Sequence, residues 1–158
     1  MAAGGVPGTI VERLGLDRSS IQEVGRFPLA AGGELKVFVA KSSLDGTTCH
    51  IDVDPSGAGV GCSPNPFATG PLHVSLATVG DSVRVVGLAR PDVSRVDLVD
   101  SAGAVRKLPM SDGHAFFFEG SVRLRNSGVR AERVVAYDRQ GEVLGRDQVP
   151  DPGSIPTG

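Results

Sequence analysis

A chain of 158 residues is long enough to bury a core of its own and short enough to read as one domain. Its net charge of −2 lacks the basic excess that nucleic acid or an anionic membrane surface attracts, and neither is expected as a partner. With 22 glycines, 11 prolines, no tryptophan and abundant valine, the composition argues against a helical bundle and for a turn-rich all-β chain.

The first segment, residues 1–33, opens on a Gly/Ala/Pro-rich stretch and is expected to be flexible, with short helical turns. Thr9-x-x-Glu12 and Ser20-x-x-Glu23 both match the capping box, and Gly15 and Gly25 sit where helix C-caps would fall. Residues 1–10 carry neither the basic nor the apolar region of a secretory leader. No run approaches the ~18 apolar residues of a membrane span.

From Glu34 the period changes to two. Leu35, Val37 and Val39 alternate with Glu34, Lys36 and Ala40, which predicts a strand and the start of a β-domain over 34–149. Leu44-Asp45-Gly46 turns the chain into the stretch TTCHIDVDPSGAGVGCS, residues 47–63. Asp54-Pro55-Ser56-Gly57 has the residues of a type I turn: Asp to bond nearby amides, Pro to fix φ, and Gly at the fourth position. A symmetric two-residue loop sets Ile51 opposite Val60, His50 opposite Gly61 and Cys49 opposite Cys62. Both cysteines then share the apolar face with Ile51, Val53, Val60 and Ala58, while His50 and Asp52 face Gly61 and Gly59 on the other. A glycine bulge would instead put His50 opposite Cys62. The symmetric register is preferred because it alone places both thiols on the apolar side. It predicts a Cys49–Cys62 disulfide, worth roughly 3 kcal/mol for so short a loop, against the competing reading of two buried free thiols. A disulfide implies export, so an exported protein whose leader or anchor is absent from this chain is expected.

Ser63–Pro71 reads as a proline-rich loop. Strand signals follow over 72–78, 82–90, 93–99, 104–108, 114–119, 121–125, 133–137 and 143–149, and residues 150–158 are expected to be a disordered tail. Arg95-Val96-x3-Asp100-x2-Gly103-x-Val105 recurs 38 residues on, as Arg133-Val134-x3-Asp138-x2-Gly141-x-Val143. Shared turn chemistry is enough to explain the echo, and with Asp54–Gly57 it predicts three hairpins of one style. About eight to ten short strands at this spacing predict an antiparallel β-sandwich or a partly closed barrel.

One family shows this ordering: a strand at 35–40, the pair Cys49 and Cys62, VVGLARPDVSRVDLVDSAGAVRKLP over 85–109, an aromatic strand at 116–118 and a closing VVAYDRQGEVLG over 134–145. In these features residues 35–149 resemble uncharacterised extracytoplasmic, signal- or membrane-anchored β-domains of Gram-positive bacteria. The chain departs from that pattern at the turn after Leu88, with Arg90 inserted and no glycine after Asp92. The resemblance implies a β-fold and a location outside the cytoplasm, and it implies no activity.

Candidate chemistry is sparse. His50, His73 and His114 share no HxH or HxxxH spacing, so no histidine metal site can be built locally, and no cofactor is expected. His50 and Asp52 share a strand face as an acid/base pair would, but two polar residues on the outer face of a hairpin explain the pattern as well. Ser111-Asp112-Gly113-His114 is a turn signal before it is a triad. Asp52-x-Asp54-x-Ser56-Gly57 begins like a calcium loop but has Ser63 where a bidentate Glu is needed. Gly57, Gly59 and Gly61 leave a flat strip that another backbone or a side chain can cross. Arg123, Arg125, Arg130 and Arg133 cluster around a turn as a candidate anion or partner surface. Phe116–Phe118 must present rings to both sides of its strand, which predicts cover on both faces.

The expected function is that of a non-catalytic extracytoplasmic β-domain that binds a protein or a cell-envelope component. A hydrolase whose His50, Asp52 and His114 meet only in three dimensions is the runner-up, followed by a cytosolic structural module.

Overall fold

The computed structural model describes residues 5–79, 82–121 and 131–149. Among the described residues the chain is all-β apart from one short helix and one 3₁₀ turn, and its strands form antiparallel sheets. It divides into two compact units, Met1–Ala68 with Ser111–Gly113, and Thr69–Met110 with His114–Gly158. The division falls inside the loop read from its prolines, residues 63–71.

In the first unit, helix α1 (Gly8–Leu14) ends at Gly15, whose left-handed φ of 58° turns the chain back. Its start follows Pro7 with no side-chain cap, so Thr9 does not act as the predicted capping residue. The second predicted helical turn is a correction. Residues Arg18–Ser20 make a 3₁₀ turn capped by the Asp17 side chain, and Gln22–Pro28 is strand β1. The Ser20 hydroxyl accepts from Lys41 N at 2.9 Å instead of capping a helix. A bulge between Glu23 and Gly25 breaks the alternation of β1, which is why its period was hidden. The first sheet therefore starts inside the segment expected to precede the β-domain.

That sheet is a meander in the order β1-β2-β3-β4, with β2 at Glu34–Lys41, β3 at Thr48–Asp54 and β4 at Gly57–Ser63. Phe38, Ala40, Cys49 and Ile51 on one face pack with Val6, Ile10, Val11 and Leu16 from the helical segment. Leu35 and Val37 on the opposite face of β2 are also buried, so β2 is a central strand covered on both sides.

The second unit contains β5 (Leu72–Val79), β6 (Ser82–Ala89), β7 (Arg95–Asp100), β8 (Val105–Lys107), β9 (Ala115–Ser121), β10 (Ala131–Tyr137) and β11 (Val143–Gln148). Sheets β5-β6-β9 and β11-β10-β7-β8 share one core. Leu72, Val85 and Phe116 come from the first, and Val96, Leu98, Val134 and Ala136 from the second. This unit is thus a two-sheet sandwich, in keeping with the predicted class. The predicted strand at 121–125 reaches described residues only at Ser121, the end of β9; the rest of it and the tail 150–158 lie outside the described residues. Phe116 is fully buried in the core over Gly87, where a Cβ would overlap its ring, and Phe117 is buried on the opposite face. Phe118 packs at the core margin.

The 38-residue echo has a geometric counterpart. Asp100 Oδ1 accepts from Ala102 N and Ala104 N, both at 2.9 Å; Asp138 Oδ1 accepts from Gln140 N and Glu142 N, also both at 2.9 Å. Gly103 and Gly141 close these turns at φ 88° and 81°. In the β7–β10 pairing, Asp97 faces Val135, its own counterpart in the echo, while Val96 faces Ala136 and Leu98 faces Val134. The hairpins β7-β8 and β10-β11 are therefore related by a local twofold through the middle of their sheet. The hairpin at Asp54 is of another style, closing with Asp54 directly opposite Gly57.

Candidate functional site

The β3–β4 hairpin gathers the polar pair, the cysteines and the glycine strip picked out by the sequence. Its turn is locked locally: Asp54 Oδ1 accepts from Ser56 N and the Ser56 hydroxyl at 2.6 Å each, and from Gly57 N at 3.0 Å. The register is the symmetric one, with Cys49 opposite Cys62, His50 opposite Gly61 and Asp52 opposite Gly59. Cys49 and Cys62 form a disulfide across 4.0 Å between Cα atoms, the close approach of a non-hydrogen-bonded pair. Cys49 is fully buried in the core, and Cys62 is exposed on the edge strand, so the bridge ties that edge to the core.

On the opposite face, the glycines receive side chains from their own partners. A Cβ built at Gly61 would stand 2.9 Å from His50 Nε2, and one at Gly59 would stand 3.1 Å from Asp52 Oδ1. The imidazole lies across Gly61 and the carboxylate across Gly59, both half-buried. The flat strip expected from the sequence is thus crossed by the residues expected to flank it. Both side chains extend from β3 over β4 toward the open edge of the sheet.

The other predicted residues are dispersed. Arg133 is exposed on β10, and Arg123, Arg125 and Arg130 lie outside the described residues. His73 stands on β5 of the second unit. His114 belongs to the same unit, at a left-handed φ of 64° where the turn enters β9. Its carbonyl accepts from Ala89 N at 2.7 Å. Ser111 donates its hydroxyl to the Val24 carbonyl, which gives that serine a structural partner.

Sequence reasoning missed one polar pair. Arg84 donates from Nε to Glu119 Oε2 at 3.1 Å across β6 and β9, with the two side chains only 8% and 12% exposed. The signal was present as a lone arginine inside the apolar run SVRVVGLA. Among the described residues, no group of three or more His, Cys, Asp or Glu is placed to hold a metal ion. A hollow of about 150 Å³ in the second unit is lined by Thr69, Gly70, Pro71, Leu72, Arg146 and Asp147. That is below the ~300–1,000 Å³ of ordinary ligand pockets.

No family model matches the chain, and no solved structure matches it. Over 71 residues, 45% of the chain, it is 37% identical to Metalloendoproteinase 5-MMP of Arabidopsis thaliana, and it spans 18% of that protein's length. None of His50, His73 and His114 opens the His-Glu-x-x-His motif that binds zinc in many metalloproteases.

Proposed function

We propose that the chain is a non-catalytic extracytoplasmic β-domain, secreted or membrane-anchored, that binds a protein or a cell-envelope component. The observation that carries this reading is the Cys49–Cys62 disulfide joining a buried core position to an exposed edge strand. Such bridges persist in oxidising compartments and are rare in the reducing cytosol. The geometry of the polar pair supports a binding role: His50 and Asp52 lie flat across glycines and shape a surface. The resemblance to Gram-positive envelope domains points the same way.

The test uses the labelled, oxidised full chain on envelopes isolated from the producing cells, alongside a peptide-substrate library. Saturable envelope binding, lost when the bridge is reduced and alkylated, is expected, with no cleavage of the library. Turnover of any library member, or binding that never saturates, overturns the reading.

A further inference from the structure

The β4 edge lacks the protective devices that the edge strands β1, β8 and β11 carry. At the far edge of the same sheet, β1 carries Glu23, Arg26, Pro28 and a bulge. In the second unit, β8 is three residues long with Arg106 and Lys107, and β11 carries Arg146 and Asp147. Charges, prolines, bulges and short length are the means by which edges are kept from pairing. Strand β4, GAGVGCS, has no charge, no proline and no bulge. Among the described residues no strand pairs with its outer side, and Ala58 and Cys62 are exposed.

We propose that β4 pairs with β4 of a second copy of this chain, antiparallel and centred on Val60. This goes beyond the binding role above and does not depend on it. Two arguments fix the register, and they agree. The first is hydrogen bonding and length. The short Cys49–Cys62 approach marks a non-hydrogen-bonded pair, so Cys62, and with it Ala58 and Val60, turn N–H and C=O outward. Centring on Val60 sets Val60 against Val60 and Ala58 against Cys62 of the second copy, and only this centre pairs Gly57–Ser63 over its whole length.

The second argument is charge. With Val60 central, Gly61 sits beside Gly59 of the second copy. The row then reads His50, Gly61, Gly59 and Asp52, the last two from the second copy, and the twofold repeats it in reverse. The two β3 strands stand about 14 Å apart, three strand spacings. Each side chain already lies across its own glycine, so imidazole and carboxylate face each other over the one remaining strand spacing, about 4.8 Å. Centring on Gly59 would set Asp52 against Asp52, and centring on Ala58 would set Asp52 against Asp54. Those registers juxtapose like charges, which is destabilising. On the other face, Ala58, Val60 and Cys62 of both copies form one continuous small apolar surface.

The test is sedimentation of the oxidised full chain over a concentration series, with amide exchange at the two extremes. A monomer–dimer equilibrium is expected, with the amides of Ala58, Val60 and Cys62 protected only at high concentration. Those of Gly59 and Gly61, directed at β3, stay protected at both. Val60→Pro removes an outward N–H and spares the β3–β4 ladder, so it should weaken self-association about tenfold or more, for two hydrogen bonds lost per dimer. Its far-UV spectrum and its disulfide, checked by mass, serve as folding controls. Should that variant fail to fold, Ala58→Lys sets like charges beside the seam from an exposed position and should also weaken the dimer. A monomer at every concentration, a dimer indifferent to the folded edge variant, or protection of Ala58, Val60 and Cys62 that is independent of concentration overturns the proposal.

Discussion

Removing the disulfide should cost the hairpin most of what it gains from cross-linking, and the structure sets the size of the loss. The bridge closes a loop with a sequence separation of 13. Chain-entropy arithmetic for such a loop gives about 3 kcal/mol. The two cysteines contribute unequally beyond that. Cys62 is exposed, so Cys62→Ala loses the cross-link and little packing. Cys49 is fully buried among Phe38, Ala40 and Ile51, so adding Cys49→Ala leaves a small void worth about 1 kcal/mol more. Urea unfolding followed by far-UV circular dichroism, on oxidised protein and both variants, separates the two contributions. The expected order is a loss of about 3 kcal/mol for Cys62→Ala and about 4 kcal/mol for the double variant. A single-variant loss below about 1 kcal/mol would refute the reasoning, because the Asp54 turn would then hold the register with no help from the bridge.

Other consequences are equally direct. Gly87→Ala places a methyl group inside the ring of fully buried Phe116 and should destabilise by about 1–3 kcal/mol, with Phe116→Leu recovering part of the loss in a double-mutant cycle. Glu119→Ala removes a carboxylate that pairs with the buried Arg84 guanidinium and should cost about 1–3 kcal/mol, measured by the same urea titration. Asp100→Ala and Asp138→Ala each remove a side chain that accepts two turn amides, and their losses, about 1–2 kcal/mol apiece, should match closely. The Thr47 hydroxyl and amide hold the Asp45 carboxyl below its ordinary range. Its stabilising contribution is therefore present above the unfolded value of roughly 4 and fades as pH falls through the folded one. Acid titration of Asp45→Asn should show a shallower decline than wild type.

Legibility followed the range of the determining interaction. The β3–β4 register could be read because its causes lie within the hairpin: the Asp54–Gly57 turn, the parity of Cys49 and Cys62, and alternation on both arms. Strand β1 could not, because the bulge near Val24 breaks the period while Ser20 and Glu23 imitate a helix start. The Arg84–Glu119 pair joins residues 35 positions apart, and no local pattern specifies which acid meets a lone arginine. At the candidate site, the glycines signalled space over β4, but what fills that space depends on His50 and Asp52 leaning across the strand.

The twofold between β7 and β10 means that one of this chain's sheets is built as two subunits would build it. Its central seam has the form of an interface between two like partners, written into one polypeptide, with a register shift at Ala136/Tyr137 that only the β10–β11 hairpin carries. Exchanging the turns Asp100–Ala104 and Asp138–Glu142 should leave the strand pairing intact. The two halves have nevertheless diverged on the face turned away from their shared core, where Asp97 and Val135, both buried, occupy one position by symmetry.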